Sequence, residues 1–161
     1  MNKLDQFLKL ARTLNEELEI KPLLYGSLGL EQRLGMDLVA EDIDVLVPEV
    51  WLKGKWEVLC DCMHRNGYTL YDLHEHAFCK EGISTAFAVL ESLVDFAGIE
   101  IAKIPEIRYN NICYLLLDLE DYKKVYTASS FDGYRKDKKH KNDAEKIRLI
   151  TQIQQRLKRS E

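Results

Sequence analysis

Hydrophobic residues near the start of the chain recur at three- and four-residue steps: Leu4, Phe7, Leu8, Ala11, Leu14 and Leu18. This spacing predicts an amphipathic helix that ends before Lys21-Pro22, because the residue preceding a proline is driven out of the helical region. A short apolar strand, Leu23 to Tyr25, comes next. Residues 28 to 35 read as a short helix closed by Gly35, and a strand then runs to Val47, where Pro48 stops it. Val50 to Asn66 reads as a helix with Gly67 as its C-terminal stop. From Tyr68 onward the pattern changes to strands: Tyr68, Leu70, Tyr71, Leu73 and Phe78, a turn at Glu81-Gly82, then the run Ile83 to Leu90. Ile107 to Tyr109 and Ile112 to Leu117, separated by Asn110-Asn111, form a weaker strand pair. Asp118 is positioned to cap a helix reaching about Ala128, and a loop through Gly133 leads to a final helix from about Lys141 to Leu157. Strands and helices mix without a regular βαβ alternation, so the expected class is α+β, with a mixed sheet flanked by helices and further helices at the C-terminus.

At 161 residues the chain is long enough for one domain with a hydrophobic core, expected to span 1–161, with 1–117 as the α/β part and 118–161 as the helical part. The formal charge of −4 offers no global attraction to a polyanion, which disfavours general nucleic-acid binding. Charged residues interrupt the first twenty positions, and no stretch approaches eighteen apolar residues, so neither a signal peptide nor a membrane span is expected. Four cysteines at irregular positions, Cys60, Cys62, Cys79 and Cys113, suit a reducing compartment, and a cytoplasmic protein is the expectation. Cys60, His64, His74, His76 and Cys79 lie close in sequence, but their spacing matches no usual zinc-ligand pattern.

The chemistry is concentrated in two short runs. Leu23-Leu24-Tyr25-Gly26-Ser27 is an apolar strand entering a Gly-Ser turn, and fifteen positions after the serine comes Asp42-Ile43-Asp44-Val45-Leu46-Val47. On an extended strand Asp42 and Asp44 project to the same side, roughly 6 to 7 Å apart, while Ile43, Val45 and Val47 fill the other. Two such carboxylates can clamp one hard cation, and a Gly-Ser turn beside them offers backbone N–H groups to phosphate oxygens. Each half alone is a common feature of strand ends and turns; together, in this order, they point to phosphoryl or nucleotidyl transfer.

The run Gly26 to Gly35 followed by Glu41-Asp42-Ile43-Asp44 resembles the signature of the nucleotidyltransferase superfamily, G-[GS] followed by D-x-D. Its long gap, with a glycine at Gly35, is more similar to the small lincosamide and aminoglycoside nucleotidyltransferase branch than to the polymerase branch. The chain departs from that branch in carrying Ser27 in place of a second glycine and in lacking an Arg-x-His lead-in to the acids. The resemblance implies that Asp42 and Asp44 hold Mg²⁺ and that Gly26 and Ser27 bind phosphate. An acid on a neighbouring strand would assist as metal ligand or base. Glu91, at the end of the 83–91 run, matches that third acid best; Asp95, or no third acid at all, are the alternatives. If residues 91 to 97 are helical, Glu91 becomes a first-turn helix acid without a chemical role. The segment Tyr134 to Asp143 is the densest charged run, and in the relatives a similar pattern ahead of the last helix lies near the nucleotide cleft, so Arg135, Lys138 and Lys141 are implied phosphate contacts. The expected activity is Mg²⁺-dependent transfer of a nucleoside monophosphate from a nucleoside triphosphate to a hydroxyl of a small acceptor, with release of pyrophosphate. The alternative is a catalytically inactive relative with the same fold that serves as a regulatory or binding protein, like antitoxin-type members.

Overall fold

The computed structural model describes residues 2–131 and 138–159, apart from the side chains of 138–142. Among the described residues are six α-helices and seven strands in the order α1 (Lys3–Leu18), β1 (Leu23–Tyr25), α2 (Gly26–Leu34), β2 (Ile43–Val47), α3 (Trp56–Arg65), β3 (Thr69–Asp72), β4 (Ala77–Lys80), β5 (Ile83–Val89), α4 (Ser92–Ala97), β6 (Glu106–Tyr109), β7 (Ile112–Leu116), α5 (Leu119–Ser130) and α6 (Lys138–Arg159). The strands form one mixed sheet in the order β3-β4-β5-β2-β1-β7-β6. This is the α+β arrangement expected from the sequence. Two pairings, β2 with β5 and β1 with β7, are parallel, and the others are antiparallel.

Local chemistry accounts for most element ends. The Asn2 side chain accepts from Asp5 N–H to start α1, and Asp118 does the same for α5 through Asp121 N–H. Gly35, in the left-handed region at φ 67°, ends α2. The turns between β4 and β5 and between β6 and β7 place Glu81-Gly82 and Asn110-Asn111 at positive φ, the conformation a two-residue hairpin requires. Several boundaries differ from the sequence expectation, among them the start of β2, which falls at Ile43 and leaves Asp42 outside the strand. Residues 50–66 are not one helix: a 3₁₀ turn, Glu49–Leu52, precedes α3, and the intervening chain carries Gly54. Helix α2 begins at Gly26 itself, so the Gly-Ser pair is the helix start rather than a separate turn. Helix α6 begins at Lys138, three residues earlier than expected, so Lys138 belongs to the helix instead of preceding it.

The two sheet faces have different roles. Register places Val45, Phe87, Leu24, Leu116 and Tyr114 on one face. Against it, Phe7 of α1 meets Tyr114 edge-on at 5.2 Å, and Trp56 of α3 packs on Phe78, which in turn meets Phe87 at 5.9 Å. Buried aliphatic and aromatic side chains of this kind each contribute about 1.5–3 kcal/mol. The opposite face carries Tyr25, Asp44 and Ala86 side by side. No helix among the described residues is long and apolar enough to cross a membrane.

Candidate active site

Strand direction brings the two chemical runs together. β1 lies antiparallel to β2, the central strand, so the end of β1 meets the beginning of β2, and Tyr25 pairs with Asp44. The chain turns into α2 immediately after Tyr25, which starts the helix beside that carboxylate. Gly26 makes this approach sterically feasible: its φ is +64°, and a Cβ there would collide with Asp44 Oδ2. Tyr25, the cap residue, provides no side-chain acceptor to the first turn. The helix therefore directs N–H groups and the positive end of its dipole toward the space beside Asp44, a setting suited to an anion.

That space is a cavity of about 780 Å³, lined by Gly26, Ser27, Asp42, Asp44, Tyr126, Asp143 and Lys146, with Leu38, Val39, Phe96, Val125 and Leu149 as apolar wall. Its size lies within the usual range for small-molecule sites. Asp42 sits in a bend just before β2 and is exposed, whereas Asp44 on the strand is half-buried. Lys146 reaches across from α6: its Nζ donates to Ser27 Oγ at 3.0 Å and stands 4.9 Å from the centre of the Tyr126 ring. Asp143, one turn earlier on α6, is only 5% exposed, and its Oδ2 has no hydrogen-bond partner among the described residues. Burial, together with the Asp44 and Asp143 carboxylates, pushes the Tyr25 phenol far up; burial, Tyr25 and the same two carboxylates do so for Tyr126. Both phenols remain neutral hydrogen-bond donors at ordinary pH.

The loop carrying Asp42 is fixed from α2. Glu31 Oε1 accepts from Leu38 N–H at 3.0 Å and Ala40 N–H at 3.3 Å, and Asp37 accepts from Val39 N–H. Arg33 anchors the same helix by donating to the carbonyls of Leu117 and Leu116 at 2.8 and 3.0 Å.

Of the residues singled out in the sequence, Gly26, Ser27, Asp42 and Asp44 line this one cavity. Glu91 does not join them. β5 runs parallel to β2, pairing Asp44 with Ala86 and Val47 with Val89, so the end of β5 lies beside the far end of β2, on the order of 10 Å or more from Asp44. There Glu91 is exposed, immediately precedes α4, and accepts from Glu49 N–H with both carboxylate oxygens, at 3.1 and 3.2 Å. It caps the 3₁₀ turn. Asp95 is exposed on α4 and lies outside the cavity lining, to which its neighbour Phe96 belongs. Arg135 lies outside the described residues, as do the side chains of Lys138 and Lys141. The geometry adds Lys146 to the site and gives Asp143, which the sequence placed only within a charge pattern, a definite position. Their i, i+3 spacing on one helix face was the available signal. Among the described residues, no group of three or more histidine, cysteine, aspartate or glutamate side chains is gathered closely enough to hold a metal ion.

No protein-family model matches the chain. YnaI, an uncharacterized protein of Bacillus subtilis (strain 168), is 40% identical over 153 residues, which cover 95% of this chain and 98% of YnaI. Among solved structures, an antigenic nucleotidyltransferase-like protein from Paracoccidioides brasiliensis is similar with a TM-score of 0.65 and 14% identity, over 94% of this chain and 76% of that one. ANT(2")-Ia in complex with adenylyl-2"-tobramycin is similar with a TM-score of 0.55 and 15% identity, over 94% and 90% respectively. At such identities the two likenesses are of fold.

Proposed function

Because the chain belongs with YnaI to one family and has a nucleotidyltransferase-like fold, we propose that it transfers a nucleoside monophosphate from a nucleoside triphosphate to a hydroxyl of a small acceptor, releasing pyrophosphate. The observation that carries this reading is the convergence of Asp42 and Asp44 with the uncapped start of α2 and the Ser27–Lys146 pair around one cavity. In it, Ser27 and the first N–H groups of α2 bind the triphosphate oxygens. The Lys146 ammonium, already on Ser27, meets the charge that develops on the departing pyrophosphate. ANT(2")-Ia is seen with adenylyl-2"-tobramycin, in which nucleotide and acceptor are joined; a triphosphate and a small hydroxyl-bearing acceptor are the partner classes proposed here.

Asp42 and Asp44 fit Mg²⁺. The donor set is two carboxylates lining the cavity, and Mg²⁺ is commonly held by one or two carboxylates with water and substrate phosphate completing its shell. Bound there, the ion would neutralise phosphate charge and polarise the reacting phosphoryl group. The test is calorimetric. Mg²⁺ should strengthen binding of a non-hydrolysable triphosphate to the wild-type chain, and Asp42→Asn with Asp44→Asn should abolish that Mg²⁺ dependence. Unchanged affinity in the double variant would remove the mechanism.

A second reading, a non-catalytic member that binds nucleotide, is favoured by one observation. The strand beside the aspartates carries no acid: Ala86 pairs with Asp44, and Glu91 is turned to Glu49. Incubation with α-labelled triphosphates, Mg²⁺ and a metabolite extract separates the two, since label transfer supports the enzyme and tight binding without transfer supports the binding protein.

A further inference from the structure

One carboxylate on the cavity lining has an oxygen without a hydrogen-bond partner among the described residues. Asp143 is 5% exposed, lines the same space as Asp42 and Asp44, and has its Oδ2 buried with no hydrogen-bond partner among the described residues. An unpaired buried carboxylate oxygen costs folding free energy, and such groups persist where a ligand or a reaction uses them. Lys146, the nearby cation on the same helix face, directs its Nζ to Ser27 Oγ. The strand position beside Asp44, where a sheet-borne third acid would project into the site, is Ala86. The strand beside Asp44 carries no acid, and α6 brings one to the same cavity with an oxygen unpaired among the described residues.

We propose that Asp143 supplies the acid that the sheet lacks, binding the acceptor hydroxyl through its carboxylate and taking its proton during transfer. This rests on the nucleotidyl-transfer reading above. In the step, the acceptor oxygen attacks the α-phosphorus and forms a new P–O bond. The bond from that phosphorus to the bridging oxygen of the β-phosphate breaks, and pyrophosphate leaves with the electron pair. The hydroxyl proton passes to the Asp143 carboxylate. Lys146, one turn further along α6, lies at the Ser27 end, so a single helix face would serve both the acceptor and the phosphate chain. Tyr25 and Tyr126, whose phenols sense both Asp44 and Asp143, stay protonated.

The test compares wild type, Asp143→Asn and the double variant Asp143→Asn with Ala86→Asp, which returns a carboxylate to the strand beside Asp44. Three readouts are taken: melting temperature, affinity for a non-hydrolysable Mg²⁺–triphosphate, and label transfer from α-labelled triphosphates to a metabolite extract. Asp143→Asn should melt no lower than wild type, because Oδ2 makes no hydrogen bond among the described residues for the substitution to break, and should bind triphosphate within about threefold. Its label transfer should fall about 10²–10⁴-fold, the range expected for loss of a proton acceptor. The double variant should regain at least about tenfold of the lost rate. A lower melting point with weakened triphosphate binding would make Asp143 a structural residue and overturn the proposal, as would transfer at the wild-type rate. A wild-type chain that binds triphosphate but labels nothing overturns the proposal while leaving a binding function, and one that binds no triphosphate overturns the parent reading itself.

Discussion

At Gly26 a single missing side chain permits both the left-handed turn into α2 and the close approach of Asp44. Gly26→Ala should therefore act twice. Holding a Cβ residue at φ +64° costs about 1–2 kcal/mol, and the collision with Oδ2 pushes Asp44 away from its place on the cavity wall. The expected result is a moderately lowered melting temperature, with a loss of Mg²⁺–triphosphate affinity larger than that drop explains. Calorimetry on the folded variant reads the second effect separately. Gly29 is constrained by packing instead, since a Cβ there would strike the Tyr122 hydroxyl and the Leu24 carbonyl. The two glycines thus hold α2 against β1 for different reasons, one facing the site and the other facing the core.

Elements, more than individual side chains, decide which acids meet. β5 enters the sheet parallel to β2, which delivers its N-terminal half to the aspartates and its C-terminal end to the Glu49 turn. Glu91→Ala should accordingly leave Mg²⁺–triphosphate affinity at the wild-type value and lower stability by about 0.5–2 kcal/mol through the lost cap, as measured by denaturant unfolding. Much of the local architecture was legible in the sequence because its causes are local. The stop at Gly35, the cap at Asp118 and the turns at Glu81-Gly82 and Asn110-Asn111 each depend on a few neighbouring residues. The neighbourhood of Gly26, Ser27, Asp42 and Asp44 was legible for a related reason, because one short helix and one loop connect them. Strand direction at β5 was not legible: a run of alternating residues reads the same whether it pairs parallel or antiparallel, and Glu91 was placed accordingly. Lys146 depends on a contact spanning 119 positions, which no local pattern encodes.

At the scale of the whole molecule, the sheet edge far from the cavity has its own charge arrangement. Glu106 on β6 accepts from the Cys113 thiol at 2.7 Å and pairs with Lys21 at 2.6 Å, joining the edge hairpin to the segment before β1. These contacts, the thiol first and the ammonium next, pull the Glu106 carboxyl down to about 2. A carboxyl with a depressed folded-state value stabilises fully above its unfolded value of about 4.3, and that stabilisation disappears as pH falls through about 2. Melting temperatures of wild type and Glu106→Gln should therefore differ most near neutral pH and converge across this acid window.

Helix α6 holds the only described lysine on the cavity wall, and it reaches Ser27 from the opposite end of the chain. A phosphate gripped jointly by the α2 N-terminus and Lys146 would act as a rivet between early and late parts of the sequence. At a ligand concentration of about 100 times Kd, such a rivet adds about 2.7 kcal/mol to the state in which α6 is docked. Hydrogen exchange should record this as slowed amide exchange along α6 and the start of α2, while the β3–β4 hairpin at the distant sheet edge keeps its ligand-free rates. Occupancy of the pocket and closure of the last helix would then be one equilibrium seen by two probes.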